Sequence, residues 1–226
     1  MLVRIRAEYS IGPELRFLSN LDTMHMMERA LRRAKIPFAL TEGFNPHIRL
    51  SMGTVLPVGL WGKKEYFDLE LAQAMPLDEL RDKLNQVLPA GARIEQVRPI
   101  DDNAPSLMKA VNCAAYGFLI RMPEEDISNI CQNILKSDSL PVRSRGKKKG
   151  VDKDLRRGIY KLDLQPSDEC FCLMIWVGTG EPLNIRYDEL LDLLQQQGVP
   201  SEAILDVFRE GNYIRVNERL YSPLEG

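Results

Sequence analysis

The densest group of residues able to do chemistry lies between residues 43 and 53. The ring of Phe44 can stack on a base, and His47 can hydrogen-bond a ligand or transfer a proton. Ser51 and the neighbouring glycine amides can hold an anion in a small nest. The alternative to a binding loop is a rigid turn, which the Asn-Pro pair in this segment also favours. We predict that Phe44, Asn45 and His47 line a recognition pocket, and that Arg49 and Ser51 also bind nucleic acid.

We predict a helix from Ser19 to Ile36, and one side of this helix is basic. The helix begins at a capping box, Ser19-x-x-Asp22, and ends before a proline. At ~100° per residue its apolar side chains cover one side. Guanidinium groups at helical spacing on the other side can follow a phosphate backbone. A solvated face, with Glu28 paired to Arg32, is the alternative. The basic side consists of His25, Arg29, Arg32 and Arg33.

A second basic segment covers residues 143–157. It contains eight basic and two acidic residues, a net charge of +6, which leaves −8 for the rest of the chain. Because it has few apolar residues, we expect a mobile loop suited to phosphate groups. A merely solvated loop is the alternative. The predicted phosphate contacts are Lys147, Lys148, Lys149, Arg156 and Arg157.

Composition limits the possible functions. The chain has 226 residues, 30 basic and 32 acidic, and a net charge of −2. This balance excludes a protein whose whole surface is basic, although not one with a local basic patch. No apolar run is long enough for a membrane span, and the N-terminus has no apolar signal core. We therefore expect a cytoplasmic protein with no membrane contact.

The catalytic inventory is small. The sequence has no Walker loop, no Gly-x-Gly-x-x-Gly and no Gly-x-Ser-x-Gly. Two His and four Cys without a Cys-x2-Cys pair predict no metal site, and the cysteine triad that holds an iron–sulfur cluster is absent. We expect no cofactor in this chain and favour a protein without catalytic activity of its own. His47 is the candidate if it has one.

The hydrophobic pattern predicts an α+β fold in which the order β-α-β-β-α-β occurs twice. We interpret this as two ferredoxin-like halves packed as a pseudo-dimer, joined at the turn-rich segment 101–105. The first half covers residues 1–102 and includes a Gly/Pro-rich loop over 43–62. The second covers 108–226 and includes the basic loop 143–157. In the second half we also predict an extra helix over 201–209 before a strand at 213–216.

Several uncommon motifs occur in order along residues 15–108. Together they resemble the bacterial domain of unknown function associated with radical SAM proteins, which occurs alone or fused C-terminal to a radical SAM domain. Asn20 and Ile48 depart from its pattern, where His and Pro are frequent. The motifs are Phe17–Asp22, Glu28–Arg33, Glu42–His47, Leu50-Ser51-x-Gly53, Leu56-Pro57-x-Gly59 and Pro105–Met108.

The resemblance implies partnership rather than a reaction. It implies a radical SAM enzyme as partner, which would carry the iron–sulfur cluster and S-adenosylmethionine. With the basic features, it leads to the prediction of an RNA-binding accessory module that works with this enzyme in tRNA or rRNA modification. Two alternatives stay open: a metal-independent endoribonuclease that uses His47, and a protein-interaction scaffold without nucleic acid.

Overall fold

The computed structural model describes residues 3–145 and 151–225. Its α-helices are, in chain order, α1 (Asn20–Arg33), α2 (Leu77–Asn85), α3 (Leu107–Ala110), α4 (Glu124–Lys136) and α5 (Tyr187–Gln196). Its strands are β1 (Val3–Ile11), β2 (Leu50–Met52), β3 (Trp61–Leu71), β4 (Ala92–Pro99), β5 (Cys113–Ile120), β6 (Pro141–Arg143), β7 (Asp152–Asp154), β8 (Ile159–Ser167), β9 (Cys170–Gly178), β10 (Ile204–Val216) and β11 (Arg219–Tyr221). The α+β class is confirmed.

The chain divides into two compact units. The first contains residues 1–111 and 211–226, and the second contains residues 112–210. This differs from the predicted boundary near 101–105, because segment 101–111 folds back on the first unit. The Arg4 guanidinium donates to the carbonyl of Asp102 at 2.6 Å, and Leu107 is buried against Tyr66. The C-terminal segment also returns to this unit, where Arg6 donates to the Pro223 carbonyl.

The first unit has an antiparallel sheet with the order β4-β1-β3, and β2 pairs with β3. The part of β10 that belongs to this unit also lies beside β3. Side chains alternate across a strand, so one face of β1 carries Ile5, Ala7 and Tyr9. These residues form the core with the apolar sides of α1 and α2. The opposite face carries charged side chains.

A buried ion pair holds the charged face together. Arg6 lies opposite Asp68 in the β1–β3 register, and its guanidinium makes a bidentate contact to the Asp68 carboxylate at 2.7 and 3.0 Å. The remaining donors reach the carbonyls of Pro105 and Pro223, each at 3.0 Å. Arg6 has no exposed surface. One side chain therefore fixes two strands and two distant segments of the chain.

The second unit has the sheet order β10-β5-β9-β8, and β6 and β7 form a separate two-stranded hairpin. The predicted helix over 201–209 is wrong: residues 201–203 form one 3-10 turn, and β10 begins at Ile204. The spacing of the apolar residues in this segment fits a helix as well as a strand. Tertiary contact decides in favour of the strand, since Phe208 lies directly over Gly117 of β5, where no Cβ is in the way.

Two smaller boundaries also differ from expectation. Helix α1 ends at Arg33 rather than Ile36, because Lys35 has a left-handed backbone conformation with φ 52°. The predicted loop 43–62 contains the short strand β2.

Within residues 3–145 and 151–225, none of the helices combines the length and the apolar character that a bilayer span requires.

Removing one partner of the Arg6–Asp68 pair should be far more damaging than removing an exposed pair. Asp68→Asn leaves a buried guanidinium charge uncompensated, which costs ~3–5 kcal/mol in buried pairs. Replacing both residues, Arg6→Met with Asp68→Leu, should cost less than Asp68→Asn. Urea denaturation of the full chain measures both free energies of unfolding. The exposed Asp78→Asn is the control, and a loss for Asp68→Asn no larger than the control's would contradict this role.

Candidate nucleic-acid interface

Helix α1 presents the predicted basic face. The capping box is confirmed: Ser19 Oγ accepts from the Asp22 amide, and the Asp22 carboxylate accepts from the Ser19 amide at 3.1 Å. Hydrogen bonds from Ser19 hold the pKa of Asp22 below its usual value, and the nearby charges of His25 and Arg29 act in the same direction. The apolar side of α1 is buried, and all four basic side chains, His25, Arg29, Arg32 and Arg33, are exposed.

Two of the α1 arginines contact neutral groups. Arg33 donates to the carbonyl of Val87 at 2.7 Å, and the guanidinium carbon of Arg32 lies 5.4 Å from the ring centre of Phe38. Such cation–π contact orients a guanidinium group without neutralising it. Within the described part of the chain, neither Arg29 nor Arg32 forms an ion pair, and the expected Glu28–Arg32 pair is not formed. Arg32 and Arg33 therefore keep their positive charge, whereas His25 and Arg29 lie within electrostatic range of the Asp22 carboxylate.

A hairpin-like loop follows Phe38 and projects the predicted recognition residues. Isolated bridges join Phe38 to Leu71 and Leu40 to Ile48. At the tip the Thr41 amide donates to the His47 carbonyl at 2.8 Å, and the His47 amide donates to Thr41 Oγ1 at 2.9 Å. Gly43 allows the turn, because its φ of 125° is one that residues with a Cβ rarely adopt. The loop thus has a defined backbone rather than a random path.

The side chains at this tip point to solvent. Phe44 is completely exposed, at 106% of its reference area, and Asn45 and His47 are exposed beside it. In residues 3–145 and 151–225, no hydrogen-bonding or ionic partner lies against the His47 imidazole. General acid–base catalysis needs a proton donor or acceptor held by neighbours. The arrangement therefore suits contact with a ligand better than catalysis.

Arg49 and Ser51, the two other residues of this segment that we predict to bind nucleic acid, lie at the base of the hairpin and on β2. Arg49 donates to Glu70 at 2.9 Å and to the Leu40 carbonyl at 3.1 Å, so it braces the base of the hairpin. Ser51 is exposed on β2, opposite Asp68. The amide of Gly53, expected in an anion nest, donates instead to the Tyr66 carbonyl at 2.9 Å. The anion nest therefore loses one of its donors.

The basic segment of the second unit is partly neutralised by acids from elsewhere in that unit. Arg145 makes a bidentate contact to Asp192, with both distances 2.9 Å, and Lys153 lies 2.5 Å from a carboxylate oxygen of the buried Glu189. Lys147, Lys148 and Lys149 lie outside the described residues. Arg157 is exposed. The net charge of +6 therefore overstates the positive charge that a ligand would meet.

Arg156 has a structural role that the sequence prediction did not foresee. Its guanidinium donates to the carbonyls of Ser137 at 3.0 Å, Leu135 at 3.2 Å and Ile159 at 3.3 Å. The first two lie at the C-terminal end of α4, where backbone carbonyls have no partner within the helix. A cation there is also favoured by the helix dipole. Arg156 therefore caps a helix and is not presented to a phosphate.

The α1 face and the hairpin both belong to the first unit, and the basic segment belongs to the second. Sequence reasoning missed a second polar site in the first unit, on the charged face of the sheet around Glu8 and Tyr66. The sequence does contain a pattern that indicates this site. Charged residues occupy alternate positions of β1 and β3, and these positions point to the face of the sheet opposite the core. Among the described residues, no three His, Cys, Asp or Glu side chains converge as a metal site would require.

A protein-family model described as uncharacterized protein conserved in bacteria (DUF2344) matches residues 4–186. The chain belongs to the DUF2344 family. This confirms the expected bacterial family of unknown function, while the association with radical SAM proteins stays a prediction. A search of functionally curated proteins gave no match to this DUF2344 chain.

Solved structures show distant likeness to this DUF2344 protein. A Cbf5-Nop10-Gar1 complex matches with 13% identity and a TM-score of 0.49 over 96% of this chain and 50% of the other. An archaeal box H/ACA sRNP Nop10-Cbf5 complex matches with 12% identity and a TM-score of 0.44, over 92% and 46%. The chain thus spans about half the length of these two. An unknown protein from Galdieria sulphuraria matches with 13% identity and a TM-score of 0.29, over 93% and 98%.

Arg156→Ala should reduce the stability of the DUF2344 chain and leave any RNA affinity unchanged. Three carbonyl contacts are lost, and at ~0.5–1.5 kcal/mol for each typical hydrogen bond a loss of ~1.5–4.5 kcal/mol is expected. Thermal unfolding measures the first effect and RNA titration the second. The neighbouring Arg157→Ala removes the same charge without removing the cap. Equal melting temperatures for the two variants would refute the capping role.

Proposed function

We propose that the first unit binds single-stranded RNA through the basic face of α1 and the exposed tip of the 41–47 hairpin. One observation carries the proposal: a completely exposed aromatic ring, Phe44, stands on a fixed loop in the same unit as an unneutralised row of guanidinium groups. Proteins that bind single strands combine cationic tracks for the backbone with aromatic rings that stack on bases.

Energetic considerations support this combination. Burying a Phe side chain is worth ~1.5–3 kcal/mol, which Phe44 forgoes in the free chain. Stacking a base on an aromatic ring contributes ~1–3 kcal/mol. The path between the two features is short in sequence, since Phe38, which contacts Arg32, begins the hairpin. A strand that follows the α1 arginines to Arg32 would therefore arrive at the start of the hairpin that carries Phe44.

The finer predictions on fold and partners also stay proposals. The order of elements and of strands in each unit supports two ferredoxin-like halves, the second with the β6–β7 hairpin inserted. A radical SAM partner that supplies the iron–sulfur cluster and S-adenosylmethionine, and a role in tRNA or rRNA modification, rest on the sequence resemblance alone. Phosphate contacts at Lys147–Lys149 and a cytoplasmic location are further predictions.

Replacing Arg29 and Arg32 by Gln should weaken binding of a labelled single-stranded RNA and flatten its salt dependence. Each lost phosphate contact removes ~0.7 from the slope of log affinity against log salt for a single strand, so the double variant should lose about 1.4. Fluorescence anisotropy at several salt concentrations gives the slope. Arg121→Gln, an exposed arginine of the second unit, is the matched control. An unchanged slope would exclude the α1 face.

Phe44→Ala should weaken binding without changing that slope, because a stacked ring carries no charge. The expected loss is about fivefold to 150-fold, and Phe44→Trp should restore affinity. Phe17→Ala is the control, since Phe17 is also exposed, at 77%, but lies outside the hairpin. Equal effects of Phe44→Ala and Phe17→Ala would contradict a specific stacking site.

The same titrations separate the two alternatives. A metal-independent endoribonuclease would shorten the RNA in EDTA, and His47→Ala would abolish the cleavage. A scaffold without nucleic acid would show no salt-dependent RNA binding, and its capture of a partner would survive nuclease treatment. Intact RNA with a salt slope that depends on Arg29 and Arg32 would support the proposal over both.

A further inference from the structure

A small cleft opens on the charged face of the first unit's sheet, on the side away from α1 and α2. Its volume is about 250 Å³, and its floor is formed by Glu8 of β1 and Tyr66 of β3. These residues are opposite each other in the β1–β3 register, and Gln96 of β4 is the next in the row. The C-terminal turn, with Ser222, forms one wall. The α1 face and the hairpin take no part in this cleft.

The floor has a rigid hydrogen bond. The Tyr66 hydroxyl donates to Glu8 Oε2 at 2.5 Å, and it lies 3.4 Å from Ser222 Oγ. Burial, and then the bond to Glu8, raise the pKa of Tyr66 far above its usual value. The phenol therefore stays protonated and acts as a fixed donor. One oxygen of Glu8 is engaged in this way.

The other oxygen of Glu8 is an acceptor that faces the cleft. Glu8 is only 8% exposed, and in the described part of the chain it forms no ion pair. Every fully buried side-chain polar atom of the described residues has a hydrogen-bond partner. Glu8 Oε1 has none, so it must retain contact with the solvent of the cleft. A nearly buried carboxylate with one open oxygen favours a ligand that donates an N–H group.

The cleft is also lined by two cations, an aromatic ring and a second carboxylate, Glu225, which accepts from the Ser222 amide at 3.3 Å. Lys64 and Arg98 line it, and neither is in an ion pair within the described residues. Arg98 lies opposite Arg6, whose own charge Asp68 already balances. The ring of Tyr213 also lines the cleft, with Lys64 Nζ 6.0 Å from its centre. A ligand would meet the Glu8 acceptor below, a flat ring beside it, and a lining that holds two cations and the Glu225 carboxylate.

We infer that this cleft binds a nucleotide whose base carries an exocyclic amino group. The amine donates to Glu8 Oε1, the base packs against Tyr213, and the phosphate meets Arg98 and Lys64. A carboxylate that accepts from the amino group of cytosine is an established way to read a base edge. The volume lies just below the ~300–1,000 Å³ of drug-sized sites, which suits one nucleoside with its phosphate at the rim.

Calorimetric titration of the full chain with CMP and UMP tests the inference. The two ligands differ in having an amine or a carbonyl at one ring position, and the UMP carbonyl would face the Glu8 carboxylate. CMP should bind at least roughly fivefold more tightly than UMP. Glu8→Gln should abolish this preference, and Glu79→Gln on α2 should preserve it. Equal affinity for CMP and UMP would overturn the inference. It would also be overturned if the chain bound neither monomer and showed no binding of C-rich RNA at the cleft.

A second variant tests the site without disturbing the floor. Arg98→Gln at the exposed rim should lower the affinity for CMP towards that of cytidine, which has no phosphate. An Arg98→Gln chain that still prefers CMP to cytidine as strongly as the wild type would contradict the assignment. Circular dichroism of both variants establishes that they are folded.

Two further arms identify the source of the nucleotide and separate this inference from the RNA-binding proposal. If CMP binds, a free nucleotide is the ligand. If CMP does not bind but C-rich RNA binds better than U-rich RNA and Glu8→Gln removes the difference, the nucleotide belongs to an RNA chain. Arg29→Gln with Arg32→Gln should leave CMP binding unchanged, and Glu8→Gln should leave the RNA salt slope unchanged, so either proposal can fail alone.

Discussion

The contact between Arg6 and Asp68 is the constraint on which the first unit depends. A guanidinium group with no exposed surface is tolerated only if its charge and all of its donors are satisfied. Asp68 supplies the charge, and the carbonyls of Pro105 and Pro223 supply the remaining acceptors. Because those carbonyls lie about 100 and more than 200 residues away in sequence, one buried cation determines where the middle and the end of the chain must lie.

This constraint also builds the cleft on the same face. Holding Pro223 against Arg6 brings Ser222 near the Tyr66 hydroxyl and places the C-terminal turn beside β3. Without that turn, Glu8 and Tyr66 would lie on an open sheet in contact with water. With it, their hydrogen bond is nearly buried, and a carboxylate oxygen opens into a confined space. The buried Arg6–Asp68 pair thus positions the turn that encloses the neighbouring pair, Glu8 and Tyr66.

What could be predicted from sequence was local. The capping box, the apolar side and the basic face of α1 follow from spacing within fifteen residues, and all are present. The turn at Gly43 is likewise a local backbone requirement. The strand at Ile204 was missed because its apolar residues fit a helix equally well, and only the space over Gly117 distinguishes the two. The return of the C-terminus was missed because it depends on a partner more than 200 residues away.

The same difference between local sequence and contacts in the fold explains why the net charge of the basic segment was a poor guide to its available positive charge. Its net charge of +6 is real in sequence, but Asp192 and Glu189 of α5 pair with Arg145 and Lys153 in space. Helix α1 has a less conspicuous sequence, yet Arg33 and Arg32 contact a carbonyl and an aromatic ring, neither of which carries a negative charge. The charge available to a polyanion depends on what each cation contacts in the fold. By that measure, among the described residues, the first unit is the stronger candidate for binding nucleic acid.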